Sequence, residues 1–314
     1  MKSDLIYSIY FRLKRKQKAA KEEGKKLSSA DQKILNYAEW YFNVLLKKFY
    51  IKHPSGKYGI TKEKRNQKII VSLTSFPKRI NTVWLTAETL LRQSVKPDEV
   101  ILWLADSQFP GKYDDLPESL LRLTERGLTI RFCDDLRSHK KYFYTMQEYP
   151  DDLIILADDD AFYPQDMIAS LLEMHEKNPE DICTMSAQVI SDDLPSKWRN
   201  PYLNERFVHS SMIQVYTGSG SLFPPSALHP DAFNQERMQE LCPYADDLWL
   251  TFMAHMKQTK ITAYDPWRAF PVFIDNTAAD SLYYINVEDG QNDIQWQKLK
   301  AFYSTDGGVE SYEQ

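Results

Sequence analysis

A chain of 314 residues with 43% hydrophobic and 26% charged residues can bury a large core, as one big domain or two modest ones. No window approaches the roughly 20 continuous apolar residues of a membrane span, and Met1 to Leu5 lack the marks of a signal peptide, so a cytoplasmic location is expected. Cys133, Cys183 and Cys242 are scattered without C-x-x-C spacing, so neither a disulfide framework nor a zinc knuckle is indicated.

The net charge of -5 hides an asymmetry: residues 1–68 hold 18 Lys+Arg against 6 Asp+Glu, leaving 21 against 38 for the remainder. A basic arm on an acidic body suits contact with an anionic surface and argues against nucleic acid as a substrate. In the arm, Leu5, Ile6, Ile9, Tyr10 and Leu13 recur at helical spacing beside Arg12, Lys14, Arg15 and Lys16. Two readings follow: residues 1–26 lie on an anionic membrane, on the inner face of the cell membrane, or the helix packs on the body or another subunit. A second helix, after the capping cluster Ser28 to Asp31, carries Ile34, Leu35, Tyr37, Ala38 and Trp40 to Phe42. Residues 52–68 read as a polar linker.

The body begins at Lys68. Strands are predicted at Ile69–Leu73, Glu99–Leu104, Leu128–Phe132 and Leu153–Ala157, with helical segments near Val83–Leu91, Leu116–Leu123 and Tyr142–Glu148 between them. This alternation implies βαβ units and a largely parallel sheet. The fourth strand runs into Asp158-Asp159-Asp160, at the strand end where such sheets place ligands. Three adjacent carboxylates repel one another, so either a divalent cation compensates them or they cap the next helix.

Further on, a helix is predicted over Pro164–Lys177 and a strand over Ile182–Ile190. Residues 192–204 read as a loop or lid, and Phe207–Tyr216 as a strand entering Gly218-Ser219-Gly220. The two glycines suit a bulged turn or close backbone approach to a ligand. Helices at Phe233–Leu241 and from Ala245 to Lys257 follow, the second opening on Asp246-Asp247, which reads either as an N-cap or as a general base.

Taken together, Ser72 to Pro77, Ile101 to Leu104, Lys140-Lys141-Tyr142, Asp158 to Asp160, Gly218 to Gly220 and Asp246 to Trp249 resemble a bacterial GT-A-fold glycosyltransferase, similar to the family 2 enzymes of surface polysaccharide synthesis. The resemblance covers residues 68–314 and leaves 1–67 as a basic helical extension. It implies an α/β, Rossmann-like, mostly parallel sheet flanked by helices, with a nucleotide-binding half over about 68–160 and an acceptor half over about 161–314. By the same resemblance, Thr74, Ser75, Pro77, Arg79, Asp134, Asp135, Lys140, Lys141, Asp158 and Asp159 hold a nucleotide-sugar donor, a UDP-sugar being favoured. Asp160 and Asp158 bind Mn2+ or Mg2+. Gly218, Ser219, Gly220 and Trp249 face a glycan or lipid-linked glycan acceptor, and Asp247 or Asp246 is the base of an inverting transfer. The family's Glu-Asp pair is Asp-Asp here, and the Gln-x-x-Arg-Trp that usually follows is absent. Competing readings are a metal-dependent phosphatase of the haloacid-dehalogenase type, a sugar-nucleotide nucleotidyltransferase and a non-catalytic glycan-binding scaffold.

Overall fold

The computed structural model describes residues 2–191, 193–198, 207–264, 271–275, 277, 282 and 284–305. Its strands are β1 (Ile69–Thr74), β2 (Glu99–Ala105), β3 (Leu128–Cys133), β4 (Leu153–Leu156), β5 (Ala161–Phe162), β6 (Ile182–Thr184), β7 (Ala187–Val189), β8 (Phe207–Ser210), β9 (Ile213–Val215), β10 (Ser221–Phe223), β11 (Ile261–Tyr264) and β12 (Val272–Phe273). Eight form one sheet in the order β3-β2-β1-β4-β10-β6-β11-β8. It is mostly parallel, with β10 and β8 antiparallel to their neighbours. Because β2 lies on one side of β1 and β4 on the other, the order reverses there and opens a crevice at the carboxyl ends of those strands.

Helices cover both faces, as a parallel sheet requires. On one face Val71, Leu73, Leu102 and Ile155 meet α4 (Val83–Leu90), α5 (Glu118–Leu121) and α7 (Met167–Lys177). On the other, Ile70, Ile101, Ile154 and Leu156 meet α6 (Lys140–Glu148), α8 (Gln235–Leu241), α9 (Asp246–Met256) and α10 (Gln291–Thr305). Alternate residues of each strand feed alternate cores, which is the period-2 geometry of a strand.

The arm adds to the first core. The helices α1 (Lys2–Glu22) and α2 (Ser29–Trp40) pack on each other, and α2 continues through a π turn (Tyr41–Leu46) into α3 (Lys47–Lys52). Tyr7, Tyr10, Phe11 and Leu13 of α1 are buried with Leu35, Ala38 and Phe42. The Phe42 ring lies 5.9 Å from that of Phe162, a contact of the kind that costs roughly 3–5 kcal/mol when truncated to Ala. Of the apolar residues that recur along α1, Tyr10 and Leu13 are buried against α2 and the first core, Ile6 and Ile9 are half-buried, and Leu5 is exposed. The linker is pinned rather than loose: Gly59 N–H donates to Arg126 O (2.8 Å), Thr61 N–H to Pro97 O (2.8 Å), and Arg65 pairs with Asp98 (3.0 Å).

Several predicted elements are divided or shortened. The Ile182–Ile190 segment splits into β6 and β7, and Phe207–Tyr216 into β8 and β9, each half pairing in a different sheet. Leu116–Leu123 holds only the single turn α5, flanked by 3-10 turns at Lys112–Asp115 and Thr124–Arg126. Most of the loop or lid over 192–204 lies outside the described residues.

Candidate functional site

The carboxyl ends of β1 and β4 bring the predicted residues together. Thr74 ends β1 and Ser75 follows it, held by bonds from Thr74 Oγ1 (2.8 Å) and Ser75 N–H (3.4 Å) to Trp103 O on β2. From there Ser75 Oγ donates to Asp159 (2.5 Å), and Arg79 Nη1 reaches both Asp159 (2.6 Å) and Asp160 (3.0 Å). A second Arg79 nitrogen donates to Thr277 O (2.9 Å). Asp159 and Arg79 are buried and serve as the internal clamp of the acidic turn, whereas Asp158 remains partly exposed. Pro77 is exposed on the same loop.

The two lysines of α6 have different tasks. Lys140 turns to Asp135 (2.7 Å), away from the acidic turn. Lys141, only 2% exposed, bridges Asp158 (2.6 Å) and Asp246 (2.9 Å). A buried polar network holds it there: Ser72 Oγ donates to Lys141 O (2.6 Å) and lies 2.8 Å from Thr145 Oγ1, which accepts from Trp103 Nε1 (2.7 Å). Lys141 is thus a link between two acid clusters rather than a free phosphate ligand. Asp134 and Asp135 lie just past β3 and are exposed, with Asp135 also accepting from Gln108 and from Arg137 N–H.

The first turn of α9 supplies the second cluster, where the helix N-terminus favours carboxylates. Thr217 N–H donates to Asp247 (2.9 Å), and Thr217 Oγ1 sits between Asp247 (2.6 Å) and Asp246 (3.0 Å). Burial opposes the charge on Asp246, but Lys141 and its neighbours outweigh it and hold the carboxyl down at about 2. Burial and the charge of Asp246 push Asp247 up to about 7. The two acids therefore differ: Lys141 holds Asp246 ionised, while burial and the charge of Asp246 raise the proton affinity of Asp247.

Strand β10 brings Gly218 beside Asp158 by inserting next to β4. Tyr163 Oη fixes both, accepting from Asp158 N–H (2.8 Å) and donating to Gly218 O (2.6 Å). A Cβ on Gly218 would lie 2.1 Å from Asp158 Oδ2. Gly218→Ala is therefore expected to displace that carboxylate from Lys141 and to lower the melting temperature, which thermal unfolding checks; an unchanged melting temperature would show that the Asp158–Lys141 contact does not depend on the glycine. Gly220, at φ +100 and facing Met167, serves the turn rather than a ligand, and Ser219 is buried with its hydroxyl on Tyr216 O.

Trp249 requires a correction. It was expected to face an acceptor, yet it is fully buried and its indole N–H donates to Ala232 O (3.2 Å). Its position at the fourth residue of α9 turns it into the core. Three site residues escaped the sequence reading: Tyr163, Thr217 and His139. His139 is fully buried beside Asp246, with Nε2 on Cys242 O (2.9 Å), and burial lowers it to about 4, so it is neutral. No spacing pattern marks it, whereas Thr217 adjoins the glycine turn and Tyr163 follows the acid run.

Five carboxylates here meet two cations, Arg79 and Lys141, an excess of three negative charges when all are ionised. Burial and the charge of Asp159 accordingly push Asp160 up to about 7. Among the described residues no group of three or more His, Cys, Asp or Glu converges as a metal shell. Two carboxylates, Asp158 and Asp160, still fit a hard cation of the Mg2+ or Mn2+ type, which takes one or two carboxylates and completes its shell with water and phosphate oxygens. Neither protein-family models nor curated proteins give a match to this chain.

Proposed function

We propose that the chain is a metal-dependent glycosyltransferase of GT-A type, moving a sugar from a nucleotide diphosphate to the hydroxyl of a glycan or lipid-linked glycan. One observation carries the reading. Asp158 and Asp246, about ninety residues apart in sequence, are bridged by Lys141, and Asp247 shares the hydroxyl of Thr217 with Asp246. One cluster is tied down by Arg79 and suited to a cation; the other holds a carboxyl poised near neutrality.

In this reading Asp158 and Asp160 would hold a divalent metal, which would supply Lewis-acid stabilisation to the departing diphosphate. Arg79 and Ser75 keep the acidic turn rigid, so the donor meets a preorganised site. Thr74 and the exposed Pro77 border the donor, with Asp134 and Asp135 near its base. Asp247 takes the proton of the acceptor hydroxyl as the new bond to the anomeric carbon forms and the bond to the diphosphate breaks, giving inversion. Lys141 keeps Asp246 ionised, and that charge in turn keeps the proton affinity of Asp247 high. The test is a screen of nucleotide sugars for release of free nucleotide with and without Mn2+. Release that depends on the metal supports the transferase, and the absence of turnover with every donor tried would return the site to a binding role.

A further inference from the structure

Most of the apolar face of α1 is covered by α2 and the first core, but the helix beside it keeps a second face uncovered. Along α2, the π turn and α3, Ile34 (47%), Tyr37 (55%), Trp40 (45%), Leu45 (37%), Phe49 (48%) and Ile51 (51%) are exposed. On α2 they lie opposite the buried Leu35 and Ala38, and Tyr37, Leu45 and Phe49 recur at multiples of four residues. Six large apolar side chains on one continuous helix exceed the scattered exposure that a soluble surface normally carries.

The fully exposed charges on this helix are positive. Lys33, Lys48 and Lys52 are exposed on the same helix, while its two acids face α1: Asp31 pairs with Lys16 (2.5 Å) and Glu39 with Lys14 (2.8 Å). Lys33 also lines an open recess of about 470 Å³ at the α1–α2 turn, together with Lys21, Lys25, Lys26 and Gln32. Lys33 and Tyr37 are four residues apart and so share one side of α2, which makes the lysine recess and the apolar face continuous. A second copy of the chain would bring this positive surface against its own like charges. An anionic surface with an apolar interior complements it: lysines meet phosphates, Trp and Tyr suit the headgroup level, and Leu, Ile and Phe enter the acyl boundary.

We propose that the exposed face of α2 to α3, with the lysine recess at the α1–α2 turn, docks the protein on an anionic lipid bilayer. The docked helix also touches the site. Asn43 in the π turn donates to Phe273 O (3.3 Å) and accepts from Asp275 N–H (2.8 Å), and the intervening Ile274 donates its N–H to Asp160 O (2.7 Å). One short segment thus separates the bilayer face from the acidic turn, which points to an acceptor carried on a membrane lipid. That last consequence rests on the transferase reading; the docking does not.

The test is co-sedimentation of the full chain with vesicles of phosphatidylcholine, with and without phosphatidylglycerol, across a salt series. The wild type is expected to sediment with the anionic vesicles only and to be released as salt rises. Trp40→Ser combined with Phe49→Ser should weaken partitioning at least about tenfold at an unchanged melting temperature, because both side chains are solvent-facing. Lys33→Glu with Lys48→Glu should abolish the preference for anionic vesicles, and Leu5→Ser on α1 should change nothing. A wild type that stays in the supernatant, or a Trp40/Phe49 variant that binds as the wild type does, overturns the proposal. So does a concentration-dependent dimer dissolved by the same pair of substitutions, which would assign the face to a second copy. None of these readouts depends on catalytic activity.

Discussion

Asp247→Asn is expected to lower sugar transfer by roughly 10²- to 10⁴-fold, the range for loss of a general base, while nucleotide binding stays as in the wild type. The substitution preserves shape, and the Asn oxygen can still accept from Thr217 N–H and Oγ1. What disappears is the proton acceptor. In the wild type Asp247 is pushed up to about 7 by burial and by Asp246, so it is half protonated near neutrality. The base works only when ionised, so kcat/KM should rise with pH up to about 7 and then level off, and the residual rate of the variant should lack this limb. Unchanged turnover in the variant would remove Asp247 from the chemistry.

The second large effect is expected at Lys141. Lys141→Met keeps the length of the stem and deletes the charge that bridges Asp158 and Asp246. Removing one partner from a buried ion pair costs roughly 3–5 kcal/mol, so a marked fall in melting temperature at pH 7 is predicted. The sign with pH can be worked out from Asp246. Its folded carboxyl, held at about 2 mainly by Lys141 against the cost of burial, lies below the ordinary Asp value of about 3.9. The stability it contributes is therefore present above that ordinary value and lost as pH falls through the folded one. The gap between variant and wild type should be widest near neutral pH and shrink as pH falls below about 4 and through about 2, where the Asp246 carboxyl becomes neutral. Thermal unfolding of the pair across this range checks it. A constant gap would mean that Lys141 acts through packing alone.

Much of this was legible in the sequence. Ile69–Leu73, apolar but for Ser72, and the continuous apolar run Leu153–Ala157 are of strand length, and such runs buried on both faces announce a parallel sheet. The acids at the end of β4 and the start of α9 followed from position alone. What could not be read depends on direction. Lys140 and Lys141 are neighbours on one helix, and only the packing of α6 on β1 through Ser72 and Thr145 decides that Lys141 enters the site. Trp249 looked like an acceptor platform for the same reason, since nothing in the chain order tells which side of α9 faces the core. The three-residue strand β10, which brings Gly218 to Asp158, is too short to carry a period. The arm shows the converse case. Its helices were readable, but Tyr7, Tyr10 and Leu13 pack inward, leaving the uncovered apolar face on α2 and α3.

The account stands on a division of labour between the two acid clusters, and calorimetric binding of uridine diphosphate tests it most directly. The wild type is predicted to bind the nucleotide only with Mn2+ present, Asp160→Ala to lose that metal-dependent binding, and Asp247→Asn to retain it. Binding that is indifferent to Mn2+, or equal in the Asp160 variant and the wild type, would contradict the assignment of Asp158 and Asp160 to the donor and its metal.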